Sequence, residues 1–296
     1  MKRYMKWLPA VAAFVACGTL FLSGCGKSED EEAGGGGGGK RSKRAPAAQT
    51  KAPEVKGYGN IKGRVIYTGG QDPEKAVVMK EPTKDQDSCP KSVPAEGWYI
   101  KNSKDKKGVQ YALVYLRPPS GMVMPKASDE ADKVPEKDGK PVDIVTIAQP
   151  HCQFEPRVIS LHPKQKIRFV NDSNSDGRKG IAHDSNVGNS RNKFAKSLPP
   201  GQDAIMELEP SDSEPNQVSC GIHQSTMSGY VWKMTHPYAV VTDAEGNFEL
   251  KGVPVTEPKM TLVVWHEMLD SKNKEVGPLD AEAGKDKTLP DIALPK

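Results

Sequence analysis

Aromatic side chains are scarce in this 296-residue chain: Phe, Trp and Tyr make 6% of it, and all hydrophobic residues only 36%. That is thin for one large core and workable for two small ones. Sustained helical periodicity is missing after residue 25, and 28 glycines with 25 prolines leave long helices little room. A strong charge of either sign is missing too. The formal charge is +4, and Lys2, Arg3 and Lys6 at the N-terminus supply three of those charges. A nearly neutral body without a basic stripe argues against nucleic acid as a partner. Five cysteines and six histidines are few enough to assign one by one.

What is present begins with an address label. Lys2, Arg3 and Lys6 form a positive n-region, followed by a mostly apolar Trp7-to-Leu22 stretch too short for a comfortable membrane span. It runs into Leu22-Ser23-Gly24-Cys25, which resembles the lipobox of bacterial lipoproteins. The resemblance implies a signal peptide over 1–24, cleavage before Cys25 and a lipid on the Cys25 thiol. The expected location is outside the cytoplasm, lipid-anchored to the cell membrane or outer membrane on the periplasmic or cell-surface side. Disulfides are permitted there. Residues 25–57 carry Glu29-Asp30-Glu31-Glu32, the Gly34-to-Gly39 run and Lys40-Arg41-Ser42-Lys43-Arg44. They read as a disordered tether with a random-coil reach of roughly 30 Å.

The remainder reads as all-β. Strand-like runs fall at Ile61–Tyr67, Val109–Arg117, Val142–Ala148, Val158–Leu161, Lys166–Asn171, Ala204–Leu208, Gln217–Cys220, Gly229–Met234, Tyr238–Thr242, Asn247–Leu250 and Met260–Trp265. Asp243-Ala244-Glu245-Gly246 separates two of them as a hairpin turn would. Residues 118–141 are polar and connect two strand groups.

Cys220 opens the segment Cys220-Gly221-Ile222-His223-Gln224-Ser225-Thr226-Met227, and His183 lies upstream in a loop rich in Gly, Ser and Asp. A thiolate, two imidazoles and a weak thioether are the ligand set of a type 1 copper centre, whereas a structural zinc would want a fourth strong ligand. The pattern resembles the cupredoxins, the plastocyanin and amicyanin superfamily. Phe154-Glu155-Pro156-Arg157-Val158-Ile159 and Gln165-Lys166-Ile167-Arg168-Phe169-Val170-Asn171 are similar to that family's opening strands. The resemblance covers about 142–235. It implies copper held by His183, Cys220, His223 and an axial Met227, with electrons leaving through a solvent-facing edge of His223. The sequence departs from the family at Asp184, where an Asn usually staples the ligand loops, and in the long polar stretch between Asn171 and His183. With Cys220 kept for metal, Cys89 and Cys152 are left to pair as a structural disulfide.

Thr242-Asp243-x-x-Gly246-x-Phe248 and Ile61-Lys62-Gly63-Arg64-Val65-Ile66 resemble the carboxypeptidase regulatory-like, transthyretin-type sandwich. The expected architecture is a Greek-key cupredoxin β-sandwich over 142–235, inserted into a discontinuous second sandwich built from 58–141 and 236–296. His266-Glu267 reads as a strand-end His with a solvated neighbour, His151 and His162 as surface residues, and His236 as a linker residue.

The leading expectation is a membrane-tethered carrier of single electrons, exchanging them with a redox partner such as a c-type cytochrome or an oxidoreductase. A copper-storing or copper-sensing lipoprotein is the alternative, and a surface interaction module with a degenerate copper site is another. An enzyme is not expected, because no second copper site and no acid/base constellation is visible. A Cys220–His223 nucleophile pair shows no orienting partner.

Overall fold

The alternation Ile61, Gly63, Val65, Tyr67 puts one buried face on the long Glu54–Tyr67 strand, with Lys62 on the other. In the computed structural model, which describes residues 51–224 and 226–295, this strand organises the first of two β-sandwiches. It pairs antiparallel with Asn247–Glu257, and parallel with Asp286–Thr288 and Ile292–Leu294. A facing sheet runs in the order Ala239–Val241, Leu113–Arg117, Thr261–Trp265, Asn273–Pro278. The core between them draws on Ile61, Val65, Val114 and Leu116 from the N-terminal half and Phe248, Leu250, Leu262 and Val264 from the C-terminal half.

The second sandwich comprises a five-stranded and a three-stranded sheet. The larger runs Lys193–Leu198, His183–Gly188, Asn216–Ser219, Ser228–Lys233, Val158–Leu161, and the smaller Asp203–Met206, Lys166–Val170, Ile144–Ala148. Ile147, Phe154, Ile159, Ile167, Phe169, Val187, Val218 and Val231 fill the space between, giving a second β-sandwich. The protein is all-β, and Pro73–Lys75 is the sole helical turn among the described residues.

Within Leu113–Arg117 and Thr261–Trp265, residues 113–116 and 262–265 read as unbroken apolar runs because both of their faces are covered. Val114, Leu116, Leu262 and Val264 face the first core. Leu113, Tyr115, Val263 and Trp265 meet Val158, Trp232 and Met234 of the second sandwich. Beside this layer Arg157 and Glu267 form a buried ion pair at 2.6 Å.

Several sequence expectations need correction. The tether does not reach residue 57, since residues from Glu54 are already in strand and pair with Glu257 and its neighbours. Val109–Ala112 is bent rather than extended, because Tyr111 sits at φ 70°. Nine strands were not expected: Val77–Lys80, Val93–Gly97, Glu136–Lys137, Lys140–Pro141, His183–Gly188, Lys193–Leu198, Asn273–Pro278, Asp286–Thr288 and Ile292–Leu294. His162 and His236 are buried, not at the surface or in a linker, and each uses Nδ1 to accept a nearby backbone N–H. Glu267 is not solvated, and His266 stacks on Trp98 with ring centroids 4.4 Å apart. The signal segment, the Cys25 attachment and the tether up to residue 50 lie outside the described residues.

Candidate metal centre

Cys220 follows directly on the Asn216–Ser219 strand, and the chain returns through Ser228–Lys233. Between them residues 220–227 close a tight loop. The Cys220 N–H donates to the Met227 carbonyl at 3.3 Å, while the Thr226 and Met227 N–H groups donate to the His223 carbonyl at 3.0 and 2.9 Å. His183 begins a strand rather than lying in a loop, opposite Leu198 and three residues from the Asn186–Ser219 pairing. The polar stretch before it is clamped at its neck: the Asn171 amide donates to the Ile181 and Leu198 carbonyls at 2.8 and 2.6 Å. The Ile181 carbonyl also accepts from Ser173 Oγ at 3.0 Å, so the buried Asn171 and Ser173 together fix the neck.

These elements bring three donors together. His183 Nδ1 lies 3.2 Å from His223 Nδ1, and Cys220 Sγ lies 3.6 Å from that same nitrogen. All three ligand atoms fall within 4.8 Å of one another, and their side chains are buried. Met227 is buried in the same core cluster. The Asp184 N–H donates to Cys220 Sγ at 3.3 Å, so backbone rather than the side chain of Asp184 ties the two ligand segments. Its carboxylate lies over Gly221, where a Cβ would come within 2.7 Å of Oδ2.

The electrostatics suit a cation-binding site. Burial, and then the neighbouring His223, push the His183 imidazole down to about 4. Burial lowers His223 as well, against the pull of Asp85. Both rings are therefore neutral near pH 7 and offer lone pairs. Burial raises the Cys220 thiol, opposed by the Asp184 N–H, so metal must displace its proton. His183 Nε2 is buried with no hydrogen-bond partner. Two facing Nδ1 atoms beside a sulfur fit a thiophilic transition-metal ion in a His₂Cys arrangement.

Sequence reasoning missed Asp85. It belongs to the loop between the Val77–Lys80 and Val93–Gly97 strands, and its Oδ2 accepts from His223 Nε2 at 3.1 Å. A carboxylate on one ring nitrogen fixes the tautomer and turns the other inward. The loop is pinned beside the centre by the Cys89–Cys152 disulfide, with Cα atoms 5.5 Å apart, and Cys220 is the free cysteine among the described residues. His223 consequently shows only 1% exposure, so the solvent-facing edge expected for it does not exist. Asp85 also supplies the orienting partner that a nucleophile pair was thought to lack. Cys220, however, is buried with a raised thiol, the reverse of an activated nucleophile. The signal that could have located Asp85 was Cys89 four residues on, since pairing with Cys152 carries this loop onto the second sandwich.

No protein-family model matches the chain, and no curated protein matches it. Among solved structures it is similar to a copper-containing nitrite reductase (NirK) from Thermus scotoductus SA-01, with 19% identity and a TM-score of 0.27. The match covers 40% of this chain and 30% of that one, a likeness too slight to assign shared chemistry.

Proposed function

We propose that the chain is an exported, membrane-tethered blue-copper protein that carries single electrons between redox partners, and is not an enzyme. The observation that carries this reading is the convergence of His183 Nδ1, His223 Nδ1 and Cys220 Sγ inside a sandwich. Copper would supply cycling between two oxidation states. His183 and His223 hold their lone pairs inward as neutral imidazoles. Cys220 gives up its proton to become a thiolate, stabilised by the Asp184 N–H. Asn171 and the Cys220–Met227 closure keep the donors in place, and little rearrangement is then needed between oxidation states. Met227, buried in the same core cluster, would be the weak thioether ligand that the cupredoxin resemblance implies. The partner class is a c-type cytochrome or an oxidoreductase, with the N-terminal lipid on Cys25 holding the chain at a membrane.

One observation favours a second reading, a copper-holding lipoprotein. Asp85 caps His223 Nε2, so the ring edge has no open route to a partner. Stopped-flow mixing of the copper-loaded, oxidised chain with a reduced c-type cytochrome separates the two. Stoichiometric one-electron transfer within seconds supports the carrier. Copper that stays bound and is not reduced supports holding.

A further inference from the structure

A second donor cluster adjoins the first. The sulfurs of Cys89 and Cys152 and one ring nitrogen of His223 lie within 4.8 Å of one another, and all three residues are buried. They arrive from separate segments: the 81–92 loop, the turn after Ile144–Ala148, and the 220–227 loop. Each is fixed by its own contacts. The Asp85 carbonyl accepts the Ser88 and Cys89 N–H groups, each at 2.9 Å. Arg178 Nη1 donates to the Ser88 carbonyl at 3.4 Å, and Arg178 Nη2 meets His151 Nε2 at 2.9 Å. In the structure the sulfurs are joined to each other, so the cluster offers one donor, the His223 lone pair that also faces the inner centre. Split, they would offer three.

We propose that, with the disulfide reduced, Cys89, Cys152 and His223 form a second binding site, one that takes copper(I), in the loop that covers the inner centre. The reductant is a dithiol. Its two sulfurs join to one another and supply two electrons and two protons, while the Cys89–Cys152 bond breaks to two thiols. Copper(I) then forms two Cu–S bonds and displaces two protons to solvent, and the imidazole adds a lone pair with no change in its own proton count. Two thiolates and an imidazole are a soft donor set that favours Cu(I) over hard divalent ions. The backbone supports an opening here: Asp85, His151 and Cys152 sit at φ 52°, 49° and 64°, left-handed conformations that a released segment leaves behind. His223 belongs to both clusters, and with its Nε2–H held by Asp85 the ring has one lone pair to give, so an ion at the loop and an ion at the inner centre compete for it. The site needs neither His183 nor Cys220, and removing the Cys220 thiol leaves that lone pair to the loop.

The test removes the inner thiolate. Cys220→Ser chain is titrated anaerobically with Cu(I) buffered by a competing Cu(I) chelator, before and after reduction by a dithiol that is then removed. The reduced chain is expected to bind one Cu(I), with sulfur and nitrogen scatterers in X-ray absorption. The oxidised chain and a Cys89→Ser, Cys220→Ser double variant are expected to bind none. Near-ultraviolet dichroism from Trp98, Trp232 and Trp265 reports whether reduction preserves the fold. If it does not, Cu(I) is supplied before the dithiol so that the ion captures the thiols as they form. Binding by the reduced chain no greater than by the oxidised one, in both orders of addition, overturns the proposal. The inner site is judged separately, on chain that retains Cys220.

Discussion

Asp85 and His223 are 138 residues apart in sequence, yet the Asp85 carboxylate accepts a hydrogen bond from His223 Nε2 at 3.1 Å. The acid comes from an excursion of one sandwich and the imidazole from the ligand loop of the other. A site assembled this way is completed only when both sandwiches have folded.

Removing that carboxylate should loosen the centre. Asp85→Ala is expected to weaken metal binding by about 10–100-fold, the usual cost of losing an outer partner of a ligand histidine. Asp85→Asn, which still accepts a hydrogen bond, should lose less. Competition against a chelator of known affinity measures both.

The metal-free chain should be acid-sensitive in a defined window. Burial holds His183 and His236 down to about 4 and His266 to about 3, against 6.5 for a free imidazole. Between those values the unfolded chain binds more protons, so stability is at its plateau above about pH 7 and falls as pH drops from about 6.5 toward 4. Each imidazole contributes a loss on the order of 3 kcal/mol by pH 4. His266→Phe, which keeps an aromatic ring against Trp98, should flatten part of that limb in urea titrations across pH 4–7.

Splitting the buried ion pair should be costly. Arg157 donates to Glu267 at 3.0 and 2.6 Å with both side chains nearly inaccessible. Glu267→Ala strands a buried guanidinium and is expected to cost about 3–5 kcal/mol, whereas Arg157→Met with Glu267→Leu should cost far less. Chemical denaturation of the single and double variants decides between them.

Loss of the disulfide should act mainly on the unfolded chain. Cys89 and Cys152 are separated by 63 residues. Cys152→Ser is expected to destabilise by about 4 kcal/mol on loop-closure entropy. The melting temperature before and after the change reads it out.

Much of this was legible from the residues. Ile61 to Tyr67 and Lys166 to Val170 alternate as half-buried strands must, and both are strands. The order Cys220, His223, Met227 on a strand-to-loop junction singled out the loop in which Cys220 and His223 come beside His183. The His183–Gly188 strand was hidden because its inward positions are His183, Ser185 and Val187, two of them polar. A strand whose buried face carries an imidazole and a hydroxyl has no hydrophobic signature. Glu267 read as solvated because no local pattern can show that Arg157, 110 residues away, makes its burial tolerable. Asp85 was hidden for the same reason.

The central claim is that Cys220, His183 and His223 bind copper together, and the visible spectrum of the chain with added Cu(II) tests it most directly. An intense thiolate-to-copper charge-transfer band that disappears in Cys220→Ser is the predicted result. Absence of the band in folded chain, with Cys220 still titratable as a thiol, would contradict the account.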